Sequence, residues 1–163
     1  MKIGIVSDTH DNIEKAEAAA DFFGEEEVGI VVHCGDMVAP FTAELFDRGF
    51  EFHAVRGNND GEWNLREAVE GFGVFHGEVA ELEFEGSSIA FYHGTEETIV
   101  DGLASRDYDY VFRGHTHEKS IRELDGSIIV NPGGIRLPGQ DEEFHVAVLD
   151  LKTGEVEFHH VHG

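Results

Sequence analysis

The chain is poor in the residues that would tie it to a disulfide scaffold, a membrane or a nucleic-acid polymer. Only one of its 163 residues is cysteine, Cys34, so no internal disulfide can form. No apolar run approaches the roughly twenty residues that a membrane span requires, and the amino terminus enters a strand-like KIGIV run instead of a signal peptide. A cytoplasmic location with no membrane partner is the expectation. Lysine and arginine together number 11 and form no cluster. Proteins that hold long nucleic acids use a basic stripe to displace counterions, so long DNA or RNA is not an expected partner. No linker, repeat or low-complexity tract divides the sequence. A chain of this length can bury a substantial core as one unit, and a single domain over 1–163 is expected.

What the chain has in excess is acid. Asp and Glu number 34, giving a formal net charge of −23. At low ionic strength such a surface repels itself, whereas near molar salt the Debye length falls to about 3 Å and the acids chiefly hold water. The composition resembles that of proteins from salt-accumulating halophilic archaea, ahead of an ordinary acidic mesophilic surface. The runs EEE at 25–27 and DEE at 141–143 read accordingly as solvated faces.

Seven side chains of metal-ligand type fall in five short clusters: Asp8 and His10 in SDTH, Asp36 in CGD, Asn58 in GNND, His93 in YHG, and His115 and His117 in GHTH. Taken singly, each has a plainer explanation. Asp8 could be a helix cap, GNND a turn built from residues that tolerate positive φ, His93 a satisfied core or surface histidine, and HxH a coincidence among 11 histidines. Four clusters, however, follow apolar runs that read as buried strands (KIGIV, GIVVHC, SIAFY, YDYVF), and the fifth follows the more mixed FHAV. Open α/β sheets place ligands beyond the carboxyl ends of their strands, so one rim of one sheet could gather all five. In an extended segment residues i and i+2 share a side, which lets Asp8 with His10, and His115 with His117, each aim two ligands at one point. Together the clusters make the parts list of a two-metal centre.

The remaining pattern alternates early βαβ units with a strand-rich second half. Amphipathic stretches at 12–23, 41–47 and 96–104 read as helices, with Asn12 as a cap and Pro40 at a helix start. Short strands are expected at 79–84, 89–92, 121–124, 128–130, 146–149 and 156–159, several joined by Gly-containing turns. Two packed sheets flanked by helices follow. The loops 61–73 and 135–143 are expected to shape the substrate pocket.

The ordered set DTH, GD, GNND, HG and GHTH, with NPGG at 131–134, resembles the calcineurin-like metallophosphoesterase superfamily, specifically its small single-domain phosphodiesterase branch from bacteria and archaea. The resemblance spans nearly the whole chain and implies a four-layer αββα sandwich of two packed mixed β-sheets. It implies that Asp8, His10 and His117 hold one divalent metal, that Asn58, His93 and His115 hold another, and that Asp36 bridges them. Asp36, Asn58 and His93 would carry the catalysis. Oxygen and imidazole donors without thiolate suit manganese first, with nickel, iron, cobalt and zinc also compatible. With Asp8, Asp36 and a bridging hydroxide against two dications, a surplus of about +1 would meet the phosphate. The implied activity is hydrolysis of a small phosphodiester by attack of a metal-bridging water or hydroxide.

One position departs from the family's pattern. Many larger members read GNH where this chain has Asn59, and an amide can donate a hydrogen bond but cannot deliver a proton. Asn59 is therefore a substrate-binding candidate without acid function. Arg56 is the other substrate candidate, since guanidinium grips phosphate in a fork, although a plain ion pair is the more ordinary role. Asp60 either orients the GNND loop or caps a turn. Cys34 reads as a packing residue, with metal ligation a lesser alternative, and the histidine-rich FHHVHG end (His159, His160, His162) is assigned no function. The same superfamily contains a scaffold, the metallophosphoesterase-like subunit of the retromer coat, so a protein-interaction role is the alternative to catalysis. Oligomeric state is left open.

Overall fold

The structure, a computed structural model, describes residues 1–135 and 143–162. In chain order these form β1 (Lys2–Val6), α1 (Ile13–Glu25), β2 (Ile30–His33), α2 (Pro40–Glu44), β3 (Glu51–Ala54), α3 (Leu65–Glu70), β4 (Val74–Phe75) and β5 (Val79–Phe84). They continue with β6 (Ser87–Tyr92), α4 (Glu97–Ala104), β7 (Tyr110–Phe112), β8 (Ser120–Leu124), β9 (Ser127–Asn131), β10 (Phe144–Asp150) and β11 (Glu155–Val161). Two mixed sheets result, ordered β11-β10-β1-β2-β3-β4 and β5-β6-β7-β9-β8.

Side-chain alternation sorts these strands into layers. In β1 and β2, Ile3, Ile5, Ile30 and Val32 point into the space between the sheets, where they meet Ile89, Phe91, Phe112 and Val130 of the second sheet. The intervening Val6 and Val31 pack on the other face against Ala16, Ala20 and Phe23 of α1. In the second sheet, Ala90, Val111 and Ile129 point outward to Val100, Leu103 and Ala104 of α4. Period-two burial on both faces of each sheet therefore gives the expected helix–sheet–sheet–helix sandwich. Gly4 interrupts β1 for a reason of space: a Cβ there would lie 2.7 Å from the Phe23 ring.

The register then places the strand ends. β1, β2 and β3 run parallel with Val6 beside His33 and His33 beside Ala54. In the second sheet β6, β7 and β9 run parallel with Phe91 beside Phe112 and Phe112 beside Val130. The residues after these ends leave at one edge of the sandwich, so the rim that gathers the clusters belongs to two sheets and not, as expected from sequence, to one.

Several expected boundaries move. α1 runs on to Glu25, taking in the first residue of the EEE run, and α2 ends at Glu44 rather than 47. Asn12 caps α1 by accepting from Lys15 N, and Pro40 opens α2. The segment 61–73, expected as loop, contains α3, whose Leu65 and Val69 are one helical turn apart and buried. A two-turn helix offers too few apolar positions for periodicity to detect. The two-residue β4 was likewise below detection. Residues 136–142, which carry most of the other loop and of the DEE run, lie outside the described residues.

Candidate metal centre

All seven expected ligands stand at this shared edge, and five of them are not in extended chain. Asp8, His10, Asp36, His115 and His117 have φ of 55°, 43°, 59°, 72° and 59°. The i, i+2 pairs thus converge because each member sits in a left-handed turn beyond its strand, which corrects the pleat argument. Asp and His are among the non-glycine residues that tolerate this region best. Val38, with φ 80°, is β-branched and tolerates it poorly, a strain of order 1–3 kcal/mol held in the turn after Asp36. Backbone hydrogen bonds tie the turns together: Asp8 N donates to Gly35 O and His10 N to Asp36 O, both at 3.0 Å.

Two carboxylates form the middle of the cluster. Asp8 is fully buried; its Oδ2 accepts from Ser7 Oγ at 2.6 Å and from His115 N at 2.9 Å. Its Oδ1 accepts no hydrogen bond and faces the Nε2 atoms of His117, His10 and His93 at 3.2, 3.7 and 3.9 Å. Asp36 Oδ2 lies 3.4 Å from His10 Nε2 and 3.4 Å from His93 Nε2, midway between the two sets of imidazoles. Asn58 Oδ1 is 2.9 Å from His93 Nε2 and 3.0 Å from His115 Nδ1. Asp8, His10 and His117 form one group of converging donor atoms, and Asp8, Asp36 and His93 another.

The imidazoles are oriented from behind. His93 Nδ1 donates to Cys34 O at 2.7 Å and His117 Nδ1 to Ile135 O at 2.6 Å, which directs both Nε2 atoms at the carboxylates. The acids and imidazoles shift each other's proton affinities. Burial pushes the Asp8 carboxyl up, but the imidazoles of His10 and His117 facing Oδ1, with His93 and the Ser7 hydroxyl, overcome it and hold Asp8 far below the ordinary range. Asp36 is likewise opposed by burial and brought down to about 2 by His93 and Asn59. His93, which burial alone would lower, is raised by Asp36 and Asp8; His117 is raised by Asp8. The acids draw protons onto the two imidazoles where dications could serve instead. Asp8 Oδ1 and His10 Nε2, both buried without a hydrogen-bond partner, are atoms that a coordinated ion would satisfy. The donor set therefore fits divalent metal.

Around the ligands stands a supporting layer that is scarcely legible from sequence. Asp60 accepts three backbone N–H groups, from Asp36 at 2.8 Å and from Gly57 and Val38 at 2.7 Å, and so clasps the CGD and GNND turns together. Burial pushes its carboxyl up. Asn59 gives both its backbone N and its Nδ2 to the Asp36 carboxylate at 2.8 Å. His33, fully buried, accepts from Gly35 N through Nδ1, which leaves Nε2 to donate to Thr9 Oγ1 at 3.2 Å. Asn131 of NPGG donates to Gly114 O at 3.1 Å and to Thr116 Oγ1 at 2.9 Å, bracing GHTH. Buried Arg113 pairs with Glu97 and donates to Gly94 O beside His93. Most of these contacts join loops far apart in sequence, and only Asp60, Asn59 and Asn131, lying inside quoted motifs, could have been singled out.

The remaining candidates lie elsewhere. Arg56 makes its hydrogen bonds to Asp60 O at 3.2 Å and Glu78 Oε1 at 3.5 Å. The Cys34 side chain packs in the core between the sheets, burial pushing its thiol up, and only its carbonyl serves the centre. His159 and His160 lie on β11, at the far edge of the first sheet, against Phe22 and His145; His160 also packs against His162 just beyond that strand.

Comparison with known proteins places this geometry in context. The pattern of the calcineurin-like phosphoesterase superfamily domain matches residues 1–154. The chain is 35% identical over 138 residues to phosphodiesterase MJ0936 of Methanocaldococcus jannaschii, a match covering 82% of this chain and 83% of that protein. It is 27% identical over 170 residues to YsnB of Bacillus subtilis, a probable metallophosphoesterase, covering 98% and 90%. Among solved structures, an archaeal phosphodiesterase superposes with a TM-score of 0.91 at 30% identity, covering 99% of this chain and 100% of the other. Vps29 of Entamoeba histolytica shares the fold, with a TM-score of 0.72 at 18% identity and coverage of 99% and 98%.

Proposed function

The chain belongs to the calcineurin-like phosphoesterase superfamily, and from that membership we propose that it is a phosphodiesterase acting on small diesters at a dinuclear metal centre. Asp8, His10 and His117 hold one divalent ion and Asn58, His93 and His115 the other, with Asp36 shared; Asp36, Asn58 and His93 are the core of the catalytic set. The observation that carries this reading is the placement of Asp36 Oδ2 at 3.4 Å from both His10 Nε2 and His93 Nε2, one oxygen addressing both imidazole sets. When bound, two such ions, manganese first, would acidify a water and offset charge developing on the phosphoryl oxygens.

The chain's own residues do the rest. Asp60 and Asn59 hold Asp36 against rotation, and Ser7 and His115 N hold Asp8, so the carboxylates are set before substrate arrives. Asn58 contributes a neutral oxygen where a third carboxylate would weaken the attraction for phosphate. Asn59 in GNND and Arg56 just before it are the proposed substrate contacts. In the net reaction the water oxygen bonds to phosphorus, the ester oxygen leaves as an alcohol, and one proton of the water ends on that alcohol. Since Asn59 cannot supply the proton, esters of acidic alcohols are the better substrates. A single domain over 1–163, a cytoplasmic setting and manganese preference belong to the same proposal. No helix among the described residues is long and apolar enough to cross a membrane. The scaffold alternative, suggested by the shared fold with Vps29, is less well supported because all seven ligand types are present.

The test is hydrolysis of bis(4-nitrophenyl) phosphate and of 4-nitrophenyl phosphate in molar salt with added manganese, beside Asp36→Asn. Diester turnover that falls at least about a thousandfold in the variant is expected. No turnover with any divalent metal, or an unaffected variant, rejects the catalytic reading.

A further inference from the structure

Next to the metal centre, behind the same turn, lies a surface hollow of about 340 Å³. Its floor and walls come from Arg56, Asp60, Trp63, Arg66, Phe75 and Glu78 among others. The turn 57–60 separates the two spaces: Asn58 and Asn59 face His93, His115 and Asp36, while Arg56 and the residues from Asp60 onward line the hollow. Asn58 and Asn59 of this turn reach the centre while Asp60 of the same turn lines the hollow, so the two spaces share one turn as their border.

The lining is unusual for this chain. Trp63 is the sole tryptophan and is 84% exposed, the most exposed large apolar side chain described. Two of the few arginines flank it, and their charges are largely matched: Arg56 stands 3.5 Å from Glu78, and Arg66 is 2.8 Å from Glu70 while lying over the Phe75 ring at 5.9 Å. Asp60 is committed to three backbone N–H groups. With both arginines matched by acids and Glu62 adding a further carboxylate to the lining, the hollow is a poor second phosphate site. What it does offer is flat surface, one indole and two guanidinium planes, and these are the groups on which planar heterocycles stack.

We propose that this hollow is a subsite for the base of a nucleotide-type diester, with the Trp63 indole as the stacking platform and the phosphate directed to the metal centre. The inference rests on the function proposed above and adds the chemical class of the group that stays on the phosphate while the more acidic alcohol leaves: an aromatic base carried on a sugar. A monomeric unit suits the site, since the surface beyond it is acidic and offers no track for a longer chain.

Two diesters with the same leaving group separate this subsite from the reaction itself. Methyl 4-nitrophenyl phosphate and thymidine 5′-(4-nitrophenyl phosphate) both release 4-nitrophenol, and only the second carries a base. The thymidine ester is expected to have the lower KM. Trp63→Ala should raise that KM about tenfold, the usual scale of one stacked base, leave kcat and the methyl ester within twofold, and be rescued by Trp63→Phe. Equal effects of Trp63→Ala on both esters, or on neither, overturn the subsite while leaving the phosphodiesterase reading intact. Because Trp63 is the only tryptophan, its fluorescence reports this position alone and does not require turnover. Saturable quenching by thymidine 5′-monophosphate in the manganese-loaded protein is expected. Absence of quenching, or a fluorescence change that follows protein concentration alone and so marks a contact between copies, overturns the assignment even where neither ester is hydrolysed.

Discussion

His33 shows how a single buried residue can serve a site that it never touches. Its ring joins Thr9, between ligands Asp8 and His10, to the Gly35 turn before Asp36, and both bonds require the neutral imidazole. Burial, set against Asp8, pushes its pKa from 6.5 down to about 3. Between those values the unfolded chain binds the proton that the folded chain refuses, so stability is complete above about pH 6.5 and falls as pH drops toward 3. The expected loss is on the order of 3 to 5 kcal/mol. Urea denaturation from pH 4 to 7 should show it, and His33→Gln should be weaker at pH 7 but flatter across that window. Equal slopes in the two proteins would contradict the role. The histidine was visible in the sequence, but its duty was not, because its partners lie 24 positions back and two positions on. The ligands themselves were legible for the opposite reason: each carries a donor atom beside a glycine or turn residue, and the donors must be of those types whatever surrounds them. Asp60 stood between, noticed for its place in GNND but not foreseeable as the acceptor of three N–H groups from two loops.

Among the elements, the strands and the Gly-containing hairpin turns between them were readable, and the turns that carry the ligands were not. Apolar, β-branched runs mark nearly every strand, whereas the convergence of the i, i+2 pairs, expected from pleating, comes from left-handed turns. Sequence does not distinguish these, since both bring alternate side chains together. The turns close because glycines let them touch. At Gly114 a Cβ would lie 1.8 Å from Ser7 Oγ and 2.5 Å from Asp8 Oδ2, pressing the second sheet's GHTH loop off the first sheet's SDTH loop. Gly114→Ala is therefore expected to weaken manganese binding at least about tenfold, as loss of support behind a ligand commonly does, with far-UV circular dichroism unchanged. Gly102 in α4 has open space around it, so Gly102→Ala should bind metal normally and gain about 0.5 to 1 kcal/mol of stability. Metal titration and melting of the two variants side by side check both statements. Equal metal affinity in the two would show that contact between the loops is not what assembles the centre.

For the molecule as a whole, the fold and the charge make separate demands. The αββα sandwich brings ligands from two sheets to one edge, while a net charge of −23 surrounds that edge with repulsion. Salt screens the exposed acids over about 3 Å at 1 M and affects the buried carboxylates much less. Withdrawing salt should then lower the melting temperature steadily and cost activity through unfolding, with metal-loaded protein holding out longer because ligand binding stabilises the folded state. A melting temperature independent of salt from 0.1 to 3 M would contradict the reading of the composition. The central claim, that seven residues from five loops make one dinuclear centre, is tested most directly by counting ions. Metal-stripped protein titrated calorimetrically with manganese in molar salt should take up two ions per chain and release protons as it does so. Saturation at one ion, or none, would contradict it.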